Sequence, residues 1–388
     1  MSDQVKETVK KVFEELADSL ETGQMGKRLK IGLTIDGSEL GTEVMKEAAY
    51  QVKRKNLFDI VVIGSETDWT QDFEHISTTD CQKEAHELMT ELLDSGELAG
   101  CVTLHYNFPI GVSTVGKVVT PALGRELFIA TTTGTASAAR NEAMVLNTVH
   151  GIAAAKASGI ANPSVGILNI EGAKAVERAV LTLKKGGYEV NFGASQRADG
   201  GLVLRGNDLL MGSVDVVVCD SLTGNILMKL FSAYNSGGNY EVSGSGYGPG
   251  IGKNYERNIC IISRASGAPV IANALEYAYQ LAKGQLAKIS REEYGKAEAA
   301  GLQEICQELT KQGAPASAAL APVTPPEKEI VTSEIAGIEI MELEEAVQLL
   351  WQKNIYAESG MGCTGPVILV NDENDQSAKQ ALTEANYL

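Results

Sequence analysis

Four short stretches of this sequence combine residue types that can do chemistry. In Gly360-Met361-Gly362-Cys363-Thr364-Gly365-Pro366 a cysteine is framed by glycines. Backbone N–H groups with little side-chain cover can stabilise a thiolate, and also the oxyanion formed when that thiolate attacks a carbonyl. The plainer reading is a small residue packed in a turn. The same stretch spells GxGxxG at 360, 362 and 365. A dinucleotide site needs a strand before that motif and a helix after it. Here a helical pattern (Leu343–Gln352) precedes and an apolar strand (Pro366–Val370) follows, so the nicotinamide reading fails on context.

The second stretch is Asp220-Ser221-Leu222-Thr223-Gly224-Asn225, between the apolar strand Val214–Cys219 and a helix over Ile226–Tyr234. Open α/β sheets bind ligands at the carboxyl ends of their strands. Small hydroxyl and amide side chains there leave helix N-terminal N–H groups open to an anion, and Lys229 lies one turn in. The same residues serve equally as helix caps. A third junction, Gly134-Thr135-Ala136-Ser137 with Arg140, follows threonines 131–133 and reads either as a ligand-facing rim or as a plain helix start. The fourth, Gly244 to Lys253, has glycine at every second position. It fits neither GxxxxGK[ST] nor GxGxxG, and its glycine density predicts a mobile loop that closes over a ligand.

The elements that must position these residues follow from periodicity. Val5, Val9, Val12, Phe13, Leu16 and Leu20 recur at helical spacing, which predicts an amphipathic helix within residues 1–28. Apolar strands at Leu29–Ile35, Phe58–Gly64, Leu127–Thr132, Val165–Asn169, Val214–Cys219 and Ile259–Ser263 alternate with helices. That alternation is the grammar of a doubly wound, mostly parallel α/β sheet, assigned here to 29–311. Residues 312–328 hold four prolines and five alanines, the composition of an extended linker. Residues 329–388 carry eleven acids against two lysines, yet are patterned like a small folded piece.

Composition narrows the class. The chain has 388 residues with 33 Lys+Arg and 50 Asp+Glu, a net charge of −17 that argues against nucleic acid and anionic membranes. No apolar run reaches the ~18–20 residues of a membrane span. Met1–Leu20 is charged throughout and lacks the apolar core of a signal peptide, so a cytoplasmic protein is expected. Six scattered cysteines and four histidines show no metal-ligand spacing, and neither a metal nor a cofactor is expected.

With these residues in hand, a resemblance emerges. Ile160–Ile170, Val214–Lys229 (VDVVVCDSLTGNILMK) and Ala272–Lys283 are similar to the phosphate acyltransferases of phospholipid synthesis, the PlsX family. That likeness covers about Ile31 to Lys283 and implies an isopropylmalate-dehydrogenase-like α/β/α fold that moves an acyl group to inorganic phosphate. The chain departs from that family at Asp36-Gly37-Ser38-Glu39, which replaces a double glycine. It also departs in the acyl-facing segment 100–116 (Cys101, His105, Tyr106), and in having the linker and the GMGCTGP tail. Length, linker and tail together resemble the alpha subunits of protein C of glycine, sarcosine and betaine reductases. This second resemblance implies an acetyl group carried as a Cys363 thioester and passed to inorganic phosphate as acetyl phosphate. It implies Ser221, Thr223, Gly224, Asn225 and Lys229 around phosphate and the tetrahedral intermediate, with Gly362 and Thr364 flanking the nucleophile. Arg140 and Lys174 are further candidates outside any family motif. The implied partners are a beta subunit of protein C and a selenoprotein-bound acetyl donor, in a homo- or hetero-oligomer. Two other readings compete: a nicotinamide-dependent oxidoreductase on the shared fold, and a non-catalytic scaffold for a catalytic partner.

Overall fold

The computed structural model describes residues 6–7, 9–10, 12–13, 28–79, 82–196, 201–313, 323–336, 338, 343–362, 365–385 and 387–388. Most of the expected N-terminal helix, most of the expected linker, and Cys363 and Thr364 therefore lie outside the described residues.

Sixteen strands are described. In chain order they begin with β1 (Lys30–Thr34), β2 (Asp59–Gly64), β3 (Glu74–Ser77), β4 (Gly100–Thr103), β5 (Phe108–Pro109), β6 (Val112–Val119) and β7 (Glu126–Thr135). Then come β8 (Ser164–Leu168), β9 (Asn191–Phe192), β10 (Val203–Leu204), β11 (Val216–Val218), β12 (Gly248–Gly252) and β13 (Ile259–Ile261). The last are β14 (Ser333–Ala336), β15 (Ala357–Gly362) and β16 (Gly365–Val370). A twelve-stranded sheet runs β10-β8-β11-β7-β6-β12-β13-β4-β1-β2-β3, with β9 beside β8.

Its two wings are parallel, because apolar runs such as Ile31–Leu33 and Val216–Val218 are buried on both faces and are joined by helical crossovers. Helices α1 (Glu43–Lys55), α3 (Arg140–Ala157), α4 (Ala173–Lys185) and α7 (Ala268–Lys283) pack on one face; α2 (Gln82–Asp94), α5 (Gly206–Met211) and α6 (Ser221–Ala233) pack on the other. Helix α3 buries thirteen of its eighteen residues, which explains its run of small side chains at Ala153–Ala155. Helices α8 (Leu286–Ala299) and α9 (Leu302–Gly313) pack on the first face, with α8 against α3. The fold is thus the expected doubly wound, mostly parallel α/β sheet.

The middle of the sheet differs from expectation. Strands β7, β6, β12 and β13 pair antiparallel in sequence, so the two parallel wings meet across an antiparallel seam. Strand β12 is the glycine-alternating stretch, and it is fully buried rather than a mobile loop closing over a ligand. Its glycines exist for close backbone approach. A methyl group at Gly248 (φ +82°) would overlap the Val115 carbonyl oxygen, and one at Gly250 would overlap the Phe108 ring.

A second, four-stranded sheet runs β14-β16-β15-β5. Helices α10 (Leu343–Gln352) and α11 (Asp375–Glu384) cover it through Leu343, Ala346, Leu350, Ala378 and Leu382. Its fourth strand comes from the large unit: Gly360 pairs with Pro109 and Met361 with Phe108. Among the described residues, no helix is long and apolar enough to cross a membrane.

Candidate functional site

A cleft of about 350 Å³ opens at the carboxyl ends of β4, β13 and β7, where a doubly wound sheet is expected to bind ligands. Strand β4 leads into Leu104, His105 and Tyr106; β13 leads into Ile262, Ser263 and Arg264; β7 contributes Thr133 near its end. Helix α6 adds Asn225 and Lys229, and Tyr247 and Glu39 complete the lining.

Lys229 is the cleft's best-anchored cation. Its Nζ lies 3.4 Å from Glu241 Oε1, 3.4 Å from Ser263 Oγ, and 5.5 Å from the centre of the Tyr247 ring. Glu241 is buried to 2 % exposure and fully committed: it accepts from Tyr247 Oη at 2.9 Å and from Ser266 Oγ at 2.7 Å. A buried carboxylate with these partners holds the lysine in place while its side chain stays more than half exposed. Asn225 donates one amide hydrogen to the Thr132 carbonyl at 3.1 Å, which leaves its second hydrogen for a ligand.

Arg264 supplies a second cation, exposed and without an ion pair among the described residues. Its backbone is fixed instead, because its carbonyl accepts from Glu39 N at 2.9 Å. Burial lowers the His105 pKa; the Glu334 carboxylate works against that shift and the Arg264 charge adds to it, so the ring is neutral near pH 7. His86, behind it, is pushed down to about 4 by burial and by His105.

The sequence-nominated residues separate into three groups. Asn225 and Lys229 meet in the cleft. Ser221, Thr223 and Gly224 do not line it, because the DSLTGN stretch is the first turn of α6 rather than a loop before it. Asp220 caps that turn, accepting from Thr223 N and Thr223 Oγ1, both at 2.9 Å. Arg140 Nη2 donates to the same carboxylate at 2.8 Å and Nη1 to Glu171 at 2.8 Å, so Arg140 braces the cap. Burial opposes the Asp220 charge, but the Thr223 N–H and Arg140 outweigh it and hold the carboxyl below its ordinary range. Gly224 is there for packing: a methyl group would overlap the Thr131 carbonyl of β7. Lys174 pairs with Glu177 at 2.7 Å on the exposed side of α4, away from the cleft. Gly362 ends β15, opposite Gly365 at the start of β16. Cys363 and Thr364, between those two glycines, are outside the described residues.

Of the other cysteines, Cys101, Cys219 and Cys260 are fully buried, and burial pushes their thiols well up, which makes them inert. Arg264, Ser263, Tyr247 and Glu241 were not nominated by sequence. The available signal was position: 104–106 and 262–264 each follow a buried strand directly.

The profile of the family described as Fatty acid synthesis protein matches residues 29–369. The alpha subunit of glycine/sarcosine/betaine reductase complex component C from Peptoclostridium acidaminophilum is 52 % identical over 389 residues, covering 100 % of both chains. A phosphate acyltransferase from Thermotoga petrophila is 26 % identical over 233 residues, covering 52 % of this chain and 67 % of that one. A crystal structure of 4-hydroxythreonine-4-phosphate dehydrogenase from Klebsiella pneumoniae aligns with a TM-score of 0.40 at 13 % identity, over 66 % of this chain and 100 % of that one, a likeness too distant to bear on the site. The chain belongs to the fatty acid synthesis protein family, in the branch it shares with the alpha subunits of component C of the glycine/sarcosine/betaine reductases.

Proposed function

We propose that this chain carries an acetyl group as a thioester on Cys363 and passes it to inorganic phosphate, releasing acetyl phosphate, within a reductase complex. The observation that supports this most is the ladder between β15 and β5. Met361 pairs with Phe108, and the chain running back from Phe108 is Asn107, Tyr106, His105 and Leu104, three of which line the cleft. Two residues span at most about 7 Å of chain. Cys363 follows Met361 by two residues, and Met361 pairs next to the segment that lines a cleft offering two cations and an amide.

In this reading Lys229 and Arg264 bind phosphate, as a lysine and an arginine commonly do together. A phosphate oxygen attacks the thioester carbonyl and forms the C–O bond. The free amide hydrogen of Asn225 and the Lys229 ammonium offset the charge of the tetrahedral oxyanion. The intermediate collapses by breaking the C–S bond, and the pair leaves with the Cys363 thiolate. The thioester's bond energy is carried into the acyl phosphate as long as phosphate, and not water, attacks the carbonyl. The acetyl donor is proposed to come from a partner component, reached through the open mouth of the cleft.

The test is exchange of labelled phosphate into acetyl phosphate by the full chain, alone and with its partner subunit. A ping-pong thioester predicts exchange with the wild type and none with Cys363→Ala. Equal exchange by both proteins would remove the thioester.

A further inference from the structure

The polar side of the cleft has assigned work in the proposed reaction; its apolar side does not. Leu104, Tyr106, Tyr247 and Ile261 line that side, and Tyr106 stands where the ladder of β15 on β5 leads. Its ring is braced from two directions. It meets Phe108 edge-on at 5.0 Å between centroids and His86 edge-on at 5.6 Å. Phe108 in turn meets Tyr255 at 5.8 Å and leaves no room for a methyl group at Gly250. Phe108 is buried to 2 % exposure, so the half-buried Tyr106 ring leans on a fixed support. Interiors packed in this way do not yield a methylene's space without cost.

We infer that Tyr106 is the wall that limits the acyl group to two carbons, a specificity role that rests on the thioester reading above. With phosphate on the Lys229–Arg264 side, the lining left for the acetyl methyl group is the apolar side to which this ring belongs. A butyryl chain adds two methylenes on that side and must displace a ring wedged between Phe108 and His86. Each added methylene in a tight pocket changes selectivity by about 10-fold or more, so two predict roughly 10²-fold discrimination.

The test loads the full chain, with its partner subunit present, from acetyl phosphate or butyryl phosphate. In that reaction the Cys363 thiolate attacks the carbonyl, the C–S bond forms, and phosphate leaves with the electron pair of the broken C–O bond. Intact-protein mass reports the initial rate of each adduct. Wild type is expected to favour acetyl by about 10²-fold, Tyr106→Phe to keep that ratio, and Tyr106→Ala to reduce it at least 10-fold. Tyr106→Leu carries the same test if the alanine chain does not fold, and Tyr106→Trp is expected to slow propionyl loading as well. Acetyl adduct with an unchanged ratio in the alanine or leucine chain would overturn the wall and leave the thioester standing. Absence of any adduct in the wild type would remove the thioester and the wall with it.

Discussion

Two glycine-rich segments of this chain look alike as sequence and behave differently as structure. Gly244 to Gly252 crosses the antiparallel seam of the large sheet, where Gly248–Gly252 is buried between β6 and β13. Gly360–Gly362 ends β15 of the small sheet and Gly365 begins β16; among the described residues β15 pairs with the large unit through Phe108 and Pro109. In the first, glycine is required because backbones approach too closely for any Cβ. In the second, a methyl group at Gly360 would meet Leu369 Cδ1 at 3.3 Å, a contact that a small shift relieves. Glycine density alone therefore does not distinguish a tightly packed strand from one with room for a side chain; the neighbours of each missing Cβ do.

The sharpest way to break that comparison is to substitute both. Gly248→Ala places a side chain at positive φ against a backbone oxygen and is expected to cost at least 3 kcal/mol by order of magnitude, about the upper range for overpacking. Gly360→Ala is expected to cost under about 1 kcal/mol. Urea midpoints of the two variants check this, and equal losses would mean that the hairpin is as tightly packed as the seam.

Next in size is Lys229→Ala, which removes a cation proposed to bind phosphate. Loss of one charged hydrogen-bonding partner is worth about 1.5–3 kcal/mol, so the phosphate concentration for half-maximal exchange should rise about 10- to 100-fold. An unchanged value would shift the anion site away from the cleft.

The large unit also contains a titration the small sheet lacks. His150 is fully buried between Ser113 Oγ (2.7 Å) and Tyr294 Oη (2.6 Å), and burial pushes its pKa down to about 3. Unfolding frees it to bind a proton below its ordinary pKa, so the unfolded state takes up more protons between those values and stability falls as pH falls. The loss should reach about 2 kcal/mol by pH 5 and grow toward pH 3. His150→Gln should flatten this part of the pH dependence of the urea midpoint; the same slope in both proteins would contradict it. The smallest effect is expected for Lys174→Ala. An exposed i,i+3 pair is worth about 0.3–0.5 kcal/mol, and phosphate exchange should not change.

Much of this fold was legible because the parallel wings are built from apolar runs such as Ile60–Ile63 and Val216–Val218, which read the same with or without neighbours. Strand β12 was illegible for the opposite reason: a strand made of glycines and one proline has no side-chain period to read. The cleft was half legible. Asn225 and Lys229 share one helix and one motif, so spacing found them. Arg264 and Tyr247 share no motif, and they meet the segment of Tyr106 because β13 lies beside β4 and β12 beside β13. Thr223 and Arg140 were drawn toward a ligand by residue type, whereas a single carboxylate, Asp220, occupies both.

A thioester on Cys363 would add one acetyl mass to the chain, which intact-protein mass spectrometry reads directly. The wild type and Cys363→Ala are incubated with acetyl phosphate, with the partner subunit present, and then exposed to phosphate or arsenate. The account predicts one acetyl increment in the wild type only, located at Cys363 and discharged by either anion. An increment that persists in Cys363→Ala, or none in the wild type, would contradict it.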